Sequence, residues 1–172
     1  FLKGVQEEGI DYRGVIYAGL MLAETGPRVL EFNCRFGDPE TQPLMCAIED
    51  DLLPLLFSAA RGKLSPRTLS AHAALCVVLA SEGYPSAVRT GVPIEGLEEA
   101  AGMENVKVFH AGTKRDGDVF MTRGGRVLGV TGVGDTLEKA AHAAYLAADA
   151  IRFSGMHMRR DVGKSVLPVV SG

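Results

Sequence analysis

Leu30-Glu31-Phe32-Asn33-Cys34-Arg35, running on into Phe36-Gly37-Asp38-Pro39-Glu40-Thr41-Gln42, is the stretch on which the fold and the chemistry turn. On a strand, side chains alternate between faces with period two. Glu31, Asn33 and Arg35 then share one face, while Leu30, Phe32 and Cys34 point the other way, into a core. A carboxylate, an amide oxygen and a guanidinium in a row pack poorly across strands. They suit a hard cation beside a phosphate. Magnesium takes oxygen ligands and is often held by one or two protein oxygens plus substrate phosphate. An adjacent arginine can bind phosphoryl or carboxylate oxygens bidentately. Alternation alone, however, is met more commonly by a solvated face of an antiparallel strand.

Working outward, residues 12–23 are a long β-prone run, and Glu24-Thr25-Gly26-Pro27 is a turn cluster between that run and 28–34. The pair reads as a β-hairpin. Residues 1–9 read as the last turns of a helix, with Leu2 and Val5 on one side and Gly9 as its stop. The chain opens on Phe1 rather than Met, so it is expected to be a piece of something longer. Residues 36–42 are a polar loop. Asp50 is the expected N-cap of a helix to about residue 61, with Pro54 tolerated in the first turn and Gly62 closing it. The polar stretch 63–70 is the expected domain boundary. Beyond it, 72–80, 106–110, 118–123 and 126–131 read as strands, and 82–85 as a turn. Gly124-Gly125 is expected to join the last two strands as a two-residue hairpin. Asp135 and Glu138 have the spacing of a capping box. The helix after them puts Leu137, Ala140, Ala141, Ala144, Ala148 and Ile151 on one stripe.

Composition narrows the function classes. The 172 residues allow one domain or two small ones, and 47% apolar with 23% charged is an ordinary globular mixture. The 21 glycines follow no Gly-X-Y period, which leaves turns, caps and close backbone approaches. A net charge of −3 with scattered Lys and Arg gives no basic stripe for nucleic acid or an anionic membrane. No apolar run approaches the ~20 residues of a bilayer span. Cys34, Cys46 and Cys76 form no CxxC pair, so neither a disulfide framework nor a zinc knuckle is expected, and a reducing cytoplasm fits. His72, His110, His142 and His157 are far apart. His110 is expected to be a hydrogen-bonded structural group and Cys34 a core residue. Tyr84 is expected to pack on Pro85. Met156, Met158, Arg159 and Arg160 are expected at a loosely packed, polar end. Gly129 to Gly134 lacks the GxGxxG spacing and fits a strand entering a helix.

The segment EFNCRFGDPETQ (31–42) closely resembles the signature of the glycinamide ribonucleotide synthetase family, the phosphoribosylamine–glycine ligases of the ATP-grasp superfamily. Residues 12–21 look like that family's partner strand. Gly83-Tyr84-Pro85, Val108-Phe109-His110-Ala111-Gly112-Thr113, Gly124-Gly125-Arg126-Val127-Leu128 and Arg160-Asp161-Val162-Gly163 look like motifs of its C-terminal domain, in the right order. The implied fold is α/β (α+β). Residues 1–68 would be the C-terminal lobe of an ATP-grasp domain with mainly antiparallel strands. Residues 69–172 would be a small antiparallel sheet and helix domain.

The implied activity is ATP-dependent joining of glycine to 5-phosphoribosylamine through an acyl phosphate, in purine synthesis. Glu31 and Asn33 carry over as Mg²⁺ or Mn²⁺ ligands at the phosphates of ATP. Arg35 carries over as the group stabilising the phosphoryl group or acyl phosphate, and Asp38 and Glu40 as amine-substrate contacts. Two departures stand out. Residues 13–23 carry no acid for a second metal ligand, since Glu24 lies in the turn. The family's N-terminal part and nucleotide lid are missing, so the chain is expected to be inactive alone. The rivals are another ATP-grasp carboxylate–amine ligase of purine synthesis, and a non-catalytic interaction module that retains the fold.

Overall fold

A computed structural model describes residues 1–164 and is a mixed α/β structure in which every paired strand is antiparallel, as the sequence predicts. The chain divides into two compact units, Phe1–Asp38 with Asp50–Ser70, and Pro39–Glu49 with the chain from Ala71 onward.

In the first unit, helix α1 (Leu2–Glu7) ends before Gly9, whose φ is +70°. Strands β1 (Tyr17–Ala23) and β2 (Gly26–Asn33) form the expected hairpin, in register from Tyr17↔Asn33 to Ala23↔Gly26. The register slips between Gly19 and Leu20, because Gly19 faces Glu31 while Leu20 faces Val29, and Leu30 is the extra residue of the bulge. The expectation that Leu30, Phe32 and Cys34 enter a core is not met. Leu30 is 64% exposed and Phe32 49%, and Cys34 is exposed too. The hairpin is a two-stranded sheet, and what Phe32 finds is the ring of Phe1 at 5.3 Å. Among the described residues of this unit the buried ones are Gly19 and Gly37, which bring no side chain to a core.

Helix α2 (Thr41–Ala47), which takes in the last two residues of the expected loop 36–42, belongs to the second unit. Helix α3 (Leu52–Ala60) returns to the first. Its N-cap is Asp51, whose Oδ1 accepts from Leu53 N at 2.9 Å, and not Asp50. Asp50 is otherwise engaged: it accepts from Ser70 N at 2.8 Å and from Arg67 at 3.0 Å.

The second unit holds β3 (Ala73–Ala80), β4 (Pro93–Ile94), α4 (Leu97–Ala101), β5 (Val106–His110), β6 (Thr113–Asp116), β7 (Val119–Thr122), β8 (Arg126–Gly134) and α5 (Leu137–Ala150). They build two sheets, ordered β3-β8-β5 and β4-β7-β6. The β7–β8 hairpin expected at Gly124-Gly125 does not exist, because β7 and β8 lie in different sheets. Gly124 instead lets two backbones cross: a Cβ on Gly112 would stand 2.7 Å from Gly124 Cα. The true hairpin joins β6 to β7 through Gly117-Asp118.

The core lies between the first sheet and α5. Val77, Leu79, Val127, Leu128 and Val130 pack with Ala140, Ala141, Ala144, Ala147, Ala148 and Ile151. The predicted stripe is thus the buried one, with Ala147 added and Leu137 partly buried. The capping box is displaced by one residue. Thr136 is the N-cap, accepting from Lys139 N at 3.3 Å, while Asp135 pairs with Lys139 Nζ at 2.8 Å. Met156 and Met158 pack against this core and do not form a loose end. Tyr84 lays its ring over Gly125.

Candidate functional site

The hairpin geometry delivers Glu31, Asn33 and Arg35 as one connected row. Asn33 Nδ2 donates to Glu31 Oε1 at 2.8 Å, and Arg35 Nη2 donates to Asn33 Oδ1 at 3.4 Å. Arg35 Nη1 donates to the Phe36 carbonyl at 2.8 Å. The guanidinium has five N–H donors in a planar fork, and these two bonds anchor it without using the rest. All three groups reach solvent: Glu31 and Arg35 are exposed and Asn33 is half-buried. Across the hairpin, Asn33 faces Tyr17 and Glu31 faces Gly19.

A divalent cation fits the donor chemistry. Glu31 and Asn33 present hard oxygens on one strand face, the number magnesium commonly draws from protein when phosphates and water complete its shell. β1 adds no acid, and Glu24 sits in the turn at the far end of the hairpin. Among the described residues no group of three or more His, Cys, Asp or Glu side chains is placed to hold a metal. The remaining ligands would therefore come from phosphate, water or another part of a longer protein.

Asp38 and Glu40 fall in different units. Asp38 closes the first segment of the first unit. Glu40 takes the N-cap position of α2 with a helical φ of −72°, and its carbonyl accepts from Leu44 N at 3.2 Å. Gln42, the last residue of the quoted stretch, turns toward β8, with its Cγ 3.7 Å from where a Cβ on Gly129 would stand. His110 is hydrogen-bonded and stacked: Nδ1 lies 3.0 Å from Thr113 Oγ1 and the ring 4.5 Å from that of Phe120. Partial burial pushes the Cys46 thiol up in pKa, against the opposing pull of Lys107. Gly19 had no role in the sequence reading. Its signal is a glycine inside a β-prone run, which can mark a close approach of another group.

Comparison with known proteins points to one family. The model of the phosphoribosylglycinamide synthetase C domain matches residues 74–165, and that of the same enzyme's ATP-grasp (A) domain matches residues 1–41. A phosphoribosylamine–glycine ligase of Rhodopirellula baltica is 51% identical over 160 residues, covering 91% of this chain and 36% of that protein. The crystal structure of phosphoribosylamine–glycine ligase from Thermotoga maritima, 38% identical, superposes with a TM-score of 0.78 over 93% of this chain and 39% of its own. N5-carboxyaminoimidazole ribonucleotide synthetase from the same organism shares the fold, with a TM-score of 0.60 at 21% identity over 88% of this chain and 39% of its own. The chain spans 36–40% of the length of the curated relatives it matches. With a family model covering more than half of its residues, the chain belongs to the phosphoribosylglycinamide synthetase family.

Proposed function

We propose that this chain is the C-terminal portion of an ATP-dependent carbon–nitrogen ligase that joins glycine to 5-phosphoribosylamine, giving glycinamide ribonucleotide, ADP and phosphate in purine synthesis. The observation that carries the reading is the hydrogen-bonded row of Glu31, Asn33 and Arg35, in a chain 51% identical to a protein named for that reaction.

ATP transfers its γ-phosphoryl group to the glycine carboxylate, forming glycyl phosphate and releasing ADP. The amine of phosphoribosylamine then attacks the carbonyl carbon. A C–N bond forms and phosphate leaves. Both steps gather negative charge on phosphoryl oxygens, where a prepositioned cation contributes most. Arg35, anchored by Phe36 and Asn33, has further N–H donors for those oxygens. Glu31 and Asn33 would hold Mg²⁺ or Mn²⁺, which neutralises and orients the phosphates when bound. Asp38 and Glu40 are assigned to the amine substrates, whose N–H groups a carboxylate accepts.

The reading takes residues 1–68 as the C-terminal lobe of an ATP-grasp domain and 69–172 as the domain that follows it. It places the protein in the cytoplasm, joined to a further part that supplies the adenine pocket and lid. The test uses the full-length protein and freshly made phosphoribosylamine, with ADP release as the readout. Glycine-dependent release that Glu31→Ala abolishes, at an unchanged thermal midpoint, is the expected result. Release that needs no glycine, or a fully active Glu31→Ala, would overturn the proposal.

A further inference from the structure

Gly19 is the one buried position of β1, and its backbone does not require a glycine. Its φ lies outside the left-handed region, so any residue could take its conformation. A glycine inside a strand also weakens it, by conformational entropy and by lacking a side chain to pack. What Gly19 leaves open is space. A Cβ there would stand 3.1 Å from Glu31 Cγ, 3.6 Å from Tyr17 Cε1 and 3.8 Å from Glu31 N. Glu31 is the direct cross-strand partner, and the register slips at the next residue. The stem of Glu31 therefore crosses bare backbone, and its carboxylate leaves that seat to meet Asn33 Nδ2 at 2.8 Å.

We propose that Gly19 is a positioning residue for Glu31: the missing side chain sets where the carboxylate stands beside Asn33, and so how tightly the pair holds a divalent cation. This rests on the metal-binding role proposed above for Glu31. An added methyl at 3.1 Å is closer than ordinary carbon–carbon contact. Alanine at position 19 would push the Glu31 stem aside by a few tenths of an ångström, and valine would push it further. Strand preference runs the other way, since β-branched residues suit strands better than glycine does. A glycine with a merely structural role would be improved upon by valine. A positioning glycine would not.

The test is Mn²⁺ affinity of the full-length protein in the presence of a non-hydrolysable ATP analogue, read by electron paramagnetic resonance, with the thermal midpoint measured alongside. Gly19→Ala should weaken Mn²⁺ binding about tenfold, the lower end for residues that orient metal ligands. Gly19→Val should weaken it further, while the midpoint stays the same or rises. Glu31→Ala should lose the bound Mn²⁺. Wild-type affinity in both Gly19 variants, with Mn²⁺ lost in Glu31→Ala, would overturn the positioning role and leave the role of Glu31 standing. Wild-type affinity in Glu31→Ala would remove both. Should the valine variant unfold, Gly19→Ala decides, since it adds a single methyl whose nearest neighbour is the flexible stem of Glu31.

Discussion

Arg35 is held at two points, the Phe36 carbonyl at 2.8 Å and the Asn33 amide oxygen at 3.4 Å, and both depend on the planar fork of the guanidinium. A lysine would keep the charge and lose the fork. Arg35→Lys should therefore lower kcat on the order of 100-fold, the cost of removing one prepositioned donor, with little change in thermal midpoint. Steady-state ADP release checks it. Asp135 sits beside Lys139, its Oδ2 accepting from Lys139 Nζ. The hydrogen bond and charge of Lys139 hold its carboxyl below the ordinary aspartate range, with a smaller pull from His72. A carboxylate with a depressed folded-state pKa stabilises the fold above the unfolded pKa, and that contribution is lost as pH falls through the folded one. Lys139→Ala should raise the pKa of Asp135 toward its ordinary value, and a carboxyl-detected NMR titration would follow it. At this scale the sequence was legible where the rule was local. Period-two alternation put Glu31, Asn33 and Arg35 on one face, and the hydrogen bonds agree. The same rule expected Leu30, Phe32 and Cys34 on a core-facing side, but it foresaw neither the bulge at Leu30 nor the exposure of all three.

At the scale of elements, α5 and β8 approach most closely at Gly132, where the strand carries no side chain. A Cβ on Gly132 would overlap the Ala140 carbonyl oxygen and lie 2.5 Å from Ala144 N. Helix and strand touch through backbone and alanine methyls, which explains why the stripe Ala140, Ala141, Ala144, Ala148 is alanine throughout. Gly132→Ala should destabilise the second unit by about 1–3 kcal/mol, the range for overpacking a tight core, as read by urea denaturation. Thr136→Ala removes the cap on Lys139 N and should cost about 1 kcal/mol in the same experiment. The helices at 52–60 and 137–150 were visible from stripe, cap and glycine stop, yet both caps were misplaced by one residue. Acid pairs and acid–threonine neighbours offer two cap candidates, and the choice follows from which one the surrounding chain engages. Asp50 is taken by Ser70 and Arg67, and Asp135 by Lys139. The hairpin at Gly124-Gly125 failed for a related reason. A pair of glycines permits a tight turn but equally permits two backbones to cross, and only the sheet order distinguishes them.

For the whole molecule, the segment from Pro39 to Glu49 is built into the second unit although Asp50–Ser70 separates them in sequence. His72 N donates to the Ala47 carbonyl at 2.9 Å, His72 Nε2 lies 2.7 Å from Glu49 Oε1, and Ile48 bridges Ala71. A fragment of residues 39–172 should accordingly melt several degrees above one of residues 69–172, since each net hydrogen bond is worth about 1 kcal/mol and a small domain gains several degrees per kcal/mol. Circular dichroism on the two fragments would show it. The sequence by itself determined the strand face that carries Glu31, Asn33 and Arg35, the helix stripe of α5 and the mixed, antiparallel class, because alternation, helical period and turn chemistry act over a few residues. Tertiary structure alone decided that β7 and β8 part into different sheets, that α2 joins the second unit, that the hairpin's apolar residues stay exposed in this chain, and that Glu31 rests on a bare Gly19. Each of these depends on which segment arrives opposite and in what register, and no local pattern of side chains encodes that.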